Sequence, residues 1–458
     1  MTDPTWLPDL TGSTGPQYVA LAEAIAADIA AGRLTPGDRL PPQRRVAQAL
    51  GVDVSAISRG YTEAARRGYV EAHVGRGTFV RDPKADELRP DPRRTAQEDA
   101  RMIMPPEPDD PALIARMQGG LAHVSANIVP LLRYQSATGS GKDHEVARDW
   151  MHSNGLRFES DLFAVAPGAN AAIEAALRVS CRPGTVVLCE SVTYLGVRAV
   201  AASLNLTLIG LPEDAHGIVP AALEQAIETH GDVILYLNPT LRNPTTQTMP
   251  AHRREDIANI LDWHGVLLIE DDAYRFVATQ TPEPIAARVP HLVWHVAGIS
   301  KVFGAGLRLA YTHAPNRALL SAFVQAVRTN QVMASPVSLA LLSTWIEDGT
   351  AGEIQAFVRR AAQARQRIAA EVLAGQSFCT DMDAYILWLT LPEGQSRADI
   401  VARMARRPIG ILPSDVFTVA GPASNALRVC LGGPIGEDGL HQALSELRDA
   451  LMQPNWLA

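Results

Sequence analysis

The sequence predicts an α/β protein in two parts, a small and mostly helical head followed by a large body built on a mostly parallel sheet covered by helices. Three observations carry this. Apolar runs at 186–189, 206–209, 233–237, 266–269, 292–296 and 309–312 alternate with helix-patterned stretches. Near the start, a helix, a glycine turn and a second helix are followed by two short strand-like runs. Between these two regions proline and charge displace apolar residues.

With 458 residues the chain can bury the cores of two or three domains, and its 47% apolar and 20% charged content is that of an ordinary globular protein. No apolar stretch has the length of a membrane span, and the start lacks a basic segment followed by an apolar run, so a cytoplasmic protein is expected. Cys181, Cys189, Cys379 and Cys430 are too widely spaced for paired-cysteine chemistry and are expected to be buried thiols, with no metal site. The net charge of −8 is uneven: between residues 16 and 82 nine arginines face seven acids, leaving +2 there and −10 elsewhere. A basic head on an acidic body suits a nucleic-acid module attached to something with another task.

In the head, Tyr18, Ala22, Ile25 and Ile29 recur at helical steps, and Gly32 ends that helix. A second helix is expected over about 43–50, broken by Gly51, and a third over about 53–67, with Ile57, Tyr61 and Ala64 facing inward and Gly68 as its stop. The segment 69–80 then reads as two strands around a Gly75-Arg76-Gly77 tip, a wing. Gly32-Arg33-Leu34-Thr35-Pro36-Gly37-Asp38-Arg39-Leu40-Pro41 and Gly75-Arg76-Gly77-Thr78-Phe79-Val80 resemble the winged helix-turn-helix of GntR-type transcription regulators. That resemblance implies double-stranded DNA as partner, with Arg44 or Arg45 and the start of the third helix on the duplex and Arg76 near the minor groove. Val54 and Ala56 stand where the family commonly has Arg and Thr, so base readout is expected from Ser55, Ser58 and Arg59. The expected boundaries are a tail at 1–15, the winged domain at 16–82, a proline-rich linker at 83–100 and the body at 101–458.

Ligands on parallel sheets sit beyond the carboxyl ends of the strands, so the residues just after each apolar run are the informative ones. Tyr194 follows the first, Asn243-Pro244-Thr245 the third, Asp271-Asp272-Ala273-Tyr274 the fourth, and Ser300-Lys301 the fifth. A lysine in an apolar, glycine-rich loop loses hydration of its ammonium form, so its neutral amine can attack a carbonyl. Arg308, seven residues on, offers a fork of donors to a phosphate. Upstream, Pro167-Gly168-Ala169-Asn170 opens an alanine-rich helix whose free N–H groups form an anion site. One pyridine ring accommodates all of these: Tyr194 on its face, Asp271 at its nitrogen, Asn243 and Tyr274 at its phenolic oxygen, and Lys301 as the imine-forming amine.

From about residue 100 onward this pattern resembles the fold-type I aminotransferases of class I and II. The resemblance implies pyridoxal 5′-phosphate as cofactor and a smaller α+β subdomain at about 335–458. It also places Tyr134 at the phosphate held by a partner subunit. Near the end, Leu427-Arg428-Val429-Cys430 resembles the strand whose arginine grips a substrate carboxylate in a two-pronged pair. The chain departs from the family at Gly298, Ala305, Thr246 and His144-Glu145; cofactor binding is expected to survive, with the cost falling on turnover.

The joined chain resembles the MocR subfamily of GntR-type regulators nearly end to end. This implies a head-to-tail, domain-swapped homodimer in which a small amino compound exchanges with Lys301 for the cofactor imine and so alters DNA binding. Two rivals remain open on sequence: a working aminotransferase that has acquired a DNA-binding head, and a reporter of free pyridoxal phosphate that needs no amine.

Overall fold

The computed structural model describes residues 6–10, 15–73, 77–81, 101–158 and 161–453, and the chain divides into two compact units, Met1–Gln97 and Glu98–Ala458. The expected linker at 83–100 and the wing-tip Arg76 lie outside the described residues.

In the first unit α1 (Gln17–Ala30), α2 (Gln43–Leu50) and α3 (Val54–Arg66) precede an antiparallel pair, β1 (Val70–His73) and β2 (Gly77–Val80). Helix α1 buries Leu21, Ala22 and Ile25 against Ile57, Tyr61 and Ala64 of α3. The two helices approach closely at Gly60, where a Cβ would lie 2.5 Å from Leu21 Cδ2. Any larger residue there forces the pair apart. Asp53 caps α3 by accepting the Ser55 N–H at 2.7 Å. The Tyr61 hydroxyl donates to the Pro41 carbonyl at 2.8 Å, tying α3 to the turn before α2. Trp6, from the stretch expected to be a tail, packs on this core and donates its indole N–H to Asp28 at 2.6 Å.

The second unit is organised by a seven-stranded sheet in the order Phe163–Ala166, Ala310–His313, Val293–Gly298, Leu268–Asp271, Val233–Leu237, Val186–Glu190, Thr207–Leu211. The last five pair in parallel, whereas Ala310–His313 runs antiparallel to both its neighbours. The reversal follows from chain length: only a short turn of helix, Ser300–Phe303, and one 3-10 turn separate Val293–Gly298 from Ala310–His313. That is too little chain for a parallel crossover. The six apolar runs of the sequence all become strands of this sheet. Phe163–Ala166, four residues without a turn signal after them other than Pro167-Gly168, was not anticipated.

Alternation along each strand fills both faces. Val187, Ile234, Tyr236, Ile269, Trp294 and Val296 pack with Ile173, Ala176 and Leu177 of the alanine-rich helix Ala169–Ser180. On the other face Leu188, Leu235, Leu268 and Val293 pack with Ile257 and Leu261 of the helix Ala251–His264. Toward the end of the chain a four-stranded antiparallel sheet, in the order Ser377–Cys379, Ile386–Thr390, Ala426–Cys430, Ile411–Pro413, forms a separate layer packed against the long helix Thr350–Val372. The cysteines are free as expected, but Cys379 is exposed and Cys181 half-buried, because both lie at element ends rather than in the sheet interior. Among the described residues no helix is long and apolar enough to cross a membrane.

Candidate functional site

The carboxyl ends of the parallel strands bring the sequence-derived residues together. Lys301, Asn243, Tyr194 and Arg428 line one cavity of ≈ 210 Å³, with Arg101, Met102, Ile103, Leu195 and Leu412 completing its wall. Lys301 sits in the first turn after Val293–Gly298, half-buried, with its Nζ 5.7 Å from the Tyr274 ring centroid. Desolvation, reinforced by the positive charge of Arg428, lowers its pKa to about 8. About a tenth of the amine is therefore neutral and nucleophilic at pH 7, far more than for a lysine in water. The amine donates to the Ile103 carbonyl at 2.9 Å, and the Lys301 carbonyl accepts the Tyr385 hydroxyl at 2.9 Å.

Asp271 closes its strand and is buried. Desolvation raises its pKa to about 6 against the opposing pull of a hydrogen bond from Tyr236. Among the described residues its Oδ1 has no protein partner, and neither does the buried hydroxyl of Tyr274. Asn243 precedes Pro244 through a cis peptide, donates its backbone N–H to Asn238 at 2.8 Å, and accepts from Arg428 Nη1 at 3.1 Å. Tyr194 lies beside Gly196, which leaves room for its ring, and its hydroxyl donates to Asn170 at 3.1 Å. Arg428, on the central strand of the small sheet, is 2% exposed and stacks 5.0 Å from the Phe417 ring; its Nη2 also donates to the Arg101 carbonyl.

The anion cradle stands at the start of the helix Ala169–Ser180. Gly168 adopts φ 102, which favours glycine, and a Cβ there would lie 3.2 Å from the Arg308 guanidinium, so a side chain would also crowd that arginine. Arg308 itself is held in a left-handed conformation, φ 50, which turns its side chain back over this helix end. Ala169 follows in the first turn and lies against Gly298, where a Cβ would come within 3.1 Å. That contact gives the first departure from the family pattern a packing reason. Thr246 keeps the left-handed backbone, φ 64, of the glycine usually found there, a strained conformation for a β-branched residue. Ser300, half-buried, begins the turn that carries Lys301. Tyr134 is not gathered in: it is 87% exposed.

The unpaired buried atoms of this donor set suit pyridoxal phosphate. A buried carboxylate oxygen and a buried phenol, both without partners among the described residues, are costly unless something polar meets them. A ring nitrogen and a phenolic oxygen are such groups, and the cradle of Gly168 with Arg308 would suit a phosphate. The residues fit the cofactor. When bound, it supplies an aldehyde that links reversibly to amines and a ring that withdraws electrons. Among the described residues no group of three or more His, Cys, Asp or Glu is placed to hold a metal.

In the head, Arg44, Arg45, Ser55 and Arg59 are exposed and Ser58 is half-buried along α2 and α3. These exposed side chains face solvent along the two helices that the GntR-type resemblance puts against DNA. Arg44→Ala or Arg45→Ala should each reduce the slope of log affinity against log salt by about one unit per lost phosphate contact, read by fluorescence anisotropy on operator DNA. An unaltered slope would mean that the side chain does not meet the backbone.

Residues 119–446 match the aminotransferase class I and II family, and residues 17–80 match the gntR family of bacterial regulatory proteins. An uncharacterised HTH-type transcriptional regulator of Bacillus subtilis, YdeF, is 28% identical over 98% of this chain and 97% of its own. The HTH-type pyridoxine biosynthesis transcriptional regulator PdxR of Corynebacterium glutamicum is 28% identical over 64% of this chain and 65% of its own. In fold, an archaeal alanine:glyoxylate aminotransferase superposes with a TM-score of 0.69 at 20% identity, covering 76% of this chain and 91% of that one. Fold and site thus define a pyridoxal-phosphate-dependent protein carrying a DNA-binding head. The chain belongs to the aminotransferase class I and II family and, with its GntR-type head, has the MocR architecture of a pyridoxal-phosphate-dependent, DNA-binding regulator.

Proposed function

We propose that the body senses a small amino compound through imine exchange at Lys301, and that the head reports the exchange to an operator. The observation that supports this most is the convergence of an amine with a depressed pKa and a buried arginine on one cavity, with Asp271 and the phosphate cradle serving the cofactor beside it. In this reading Lys301 holds the cofactor, Asp271 its ring nitrogen, Asn243 and Tyr274 its phenolic oxygen, and Tyr194 its face. Gly168, Ala169, Asn170, Ser300 and Arg308 surround the phosphate. Arg428 takes the effector's carboxylate. A carboxylate arriving there competes with the Arg101 carbonyl for the guanidinium, and Arg101 stands where the chain leaves the linker. Occupancy can in this way bias the segment that leads to the head, provided the effector binds one arrangement better than the other.

A head-to-tail homodimer is part of the same proposal. Leu121, Ile128, Val129, Leu132, Tyr134 and Val332 are large apolar or aromatic side chains left 37% to 87% exposed, a concentration suited to a second copy of the chain. Tyr134 would then reach the phosphate of the other subunit.

Titrating the purified protein with amino acids, amines and sulfonates should find a compound class that changes the visible imine band and operator affinity over the same concentration range. A compound that changes the band while leaving DNA binding untouched would separate the two units and defeat the proposal. The observation that favours the enzyme alternative is Lys301 itself, whose depressed pKa equips it to move a proton as well as to bind. Steady keto-acid production with a second amino donor, abolished in Lys301→Ala, would establish that alternative instead. Altered operator binding with cofactor alone would favour the simple cofactor reporter.

A further inference from the structure

The geometry points to Tyr236 as the positioning residue that fixes the Asp271 carboxylate for a pyridine nitrogen, its phenol holding one oxygen so that the other is left as the acceptor. This rests on the assignment of Asp271 to the cofactor ring. Tyr236 lies in the strand Val233–Leu237, fully buried, and its hydroxyl donates to Asp271 Oδ2 at 2.7 Å. Two residues on, and so on the same face, Asn238 donates its side-chain amide to the Asp271 carbonyl at 2.6 Å. One strand end thus holds Asp271 twice, once by its backbone and once by its carboxylate. The second oxygen, Oδ1, is buried with no protein partner among the described residues.

A free carboxylate at a strand end rotates about its last torsion. With Oδ2 bound to a phenol anchored in the apolar core beside Ile234, Ile269 and Trp294, that rotation is removed and Oδ1 is left at a defined place. The phenol has a second effect. Burial drives Asp271 toward its neutral form, and the donated hydrogen bond opposes this, so Tyr236 helps to keep the carboxylate ionised as a ring N–H partner.

Other ionisable groups face this pair. Asp272 and Tyr274 follow Asp271 in the chain, His295 faces it from Val293–Gly298, Lys301 from the turn beyond, and Tyr194 from the approach to the next helix. Glu190 faces Tyr236 from the neighbouring strand. None of these changes in Tyr236→Phe, which keeps the aromatic ring and the core packing.

The test measures pyridoxal phosphate affinity by visible absorbance from about pH 5 to 9 in wild type, Tyr236→Phe, Asp271→Asn and the double variant, with thermal melting as the check on folding. Tyr236→Phe should bind the cofactor roughly ten- to hundredfold more weakly, the range for losing a hydrogen bond to a charged group. Its affinity should also fail at a higher pH on acidification, because the unsupported carboxylate takes up its proton sooner. In the Asp271→Asn background, Tyr236→Phe should have no further effect. An unmoved acid midpoint, or an equal loss in the Asp271→Asn background, would reduce Tyr236 to a packing residue and overturn the inference while leaving the cofactor site intact. Equal affinity of wild type and Asp271→Asn would instead overturn the assignment of Asp271 on which the inference rests.

Discussion

Lys301→Ala is expected to abolish the visible absorbance of the cofactor imine completely while leaving the fold unchanged. The side chain is half-buried, and its amine bonds only to the Ile103 carbonyl among the described contacts, so its removal costs little packing. The turn that carries it is held separately, by the Tyr385 hydroxyl on its carbonyl and by Val302 in the core. Pyridoxal phosphate can still be held by Arg308 and Asp271, so weak binding without covalent linkage should persist in the variant. The pH dependence follows from the same site. With the amine at about 8, the neutral, reactive fraction grows as pH rises toward that value and levels off above it. Imine formation in wild type should therefore accelerate through a midpoint near pH 8 and flatten about one unit above it, as read by stopped-flow absorbance. Lys301→Arg, which cannot release its proton near neutrality, should behave as the alanine variant does. A residual imine band in Lys301→Ala would assign the chemistry to another amine.

The positions of Lys301, Asp271, Asn243 and Tyr194 were legible because each is a polar or aromatic residue at or soon after an apolar run, and a parallel sheet exposes its ligands at those ends; Arg308 was legible from its place seven residues after Lys301 in the glycine-rich loop. Hydrophobic period also sufficed for the head, where Ile57, Tyr61 and Ala64 mark the inner face of α3 without tertiary information. The supporting residues were not legible for the same physical reason. Tyr236 and Tyr385 lie in or beside apolar runs, and a hydrophobicity pattern cannot distinguish a tyrosine that fills space from one whose hydroxyl is aimed at a carboxylate or a carbonyl. The reversed strand Ala310–His313 escaped as well, since an apolar run carries no direction. Direction came from the short connection through Lys301, a constraint visible only once both strand ends were fixed. The carbonyls of Arg101 and Ile103 carry no side-chain signature at all, yet they touch Arg428 and Lys301.

Arg428→Leu should leave the cofactor in place and remove the response to carboxylate-bearing amino compounds. Arg428 is 2% exposed, and its aliphatic stem and guanidinium plane pack 5.0 Å from the Phe417 ring, a role leucine can largely fill. Leucine cannot supply the fork. Nη1 donates to Asn243 and Nη2 to the Arg101 carbonyl, while Nε is buried with no partner among the described residues. The guanidinium therefore retains donor capacity within the cavity. Truncating one partner of a buried, hydrogen-bonded charge pair costs about 2–5 kcal/mol, or roughly thirtyfold and upward in effector affinity. Amines that lack a carboxylate never make this pair, so their effect on the imine band should be the same in both proteins once each is compared at the same distance from its own pH midpoint. The variant has a second, independent signature. Arg428 contributes to the low pKa of Lys301, so its loss should raise that pKa and shift imine formation toward higher pH. Equal binding of carboxylate compounds by both proteins, with the pH shift present, would show that Arg428 tunes the lysine without gripping the effector.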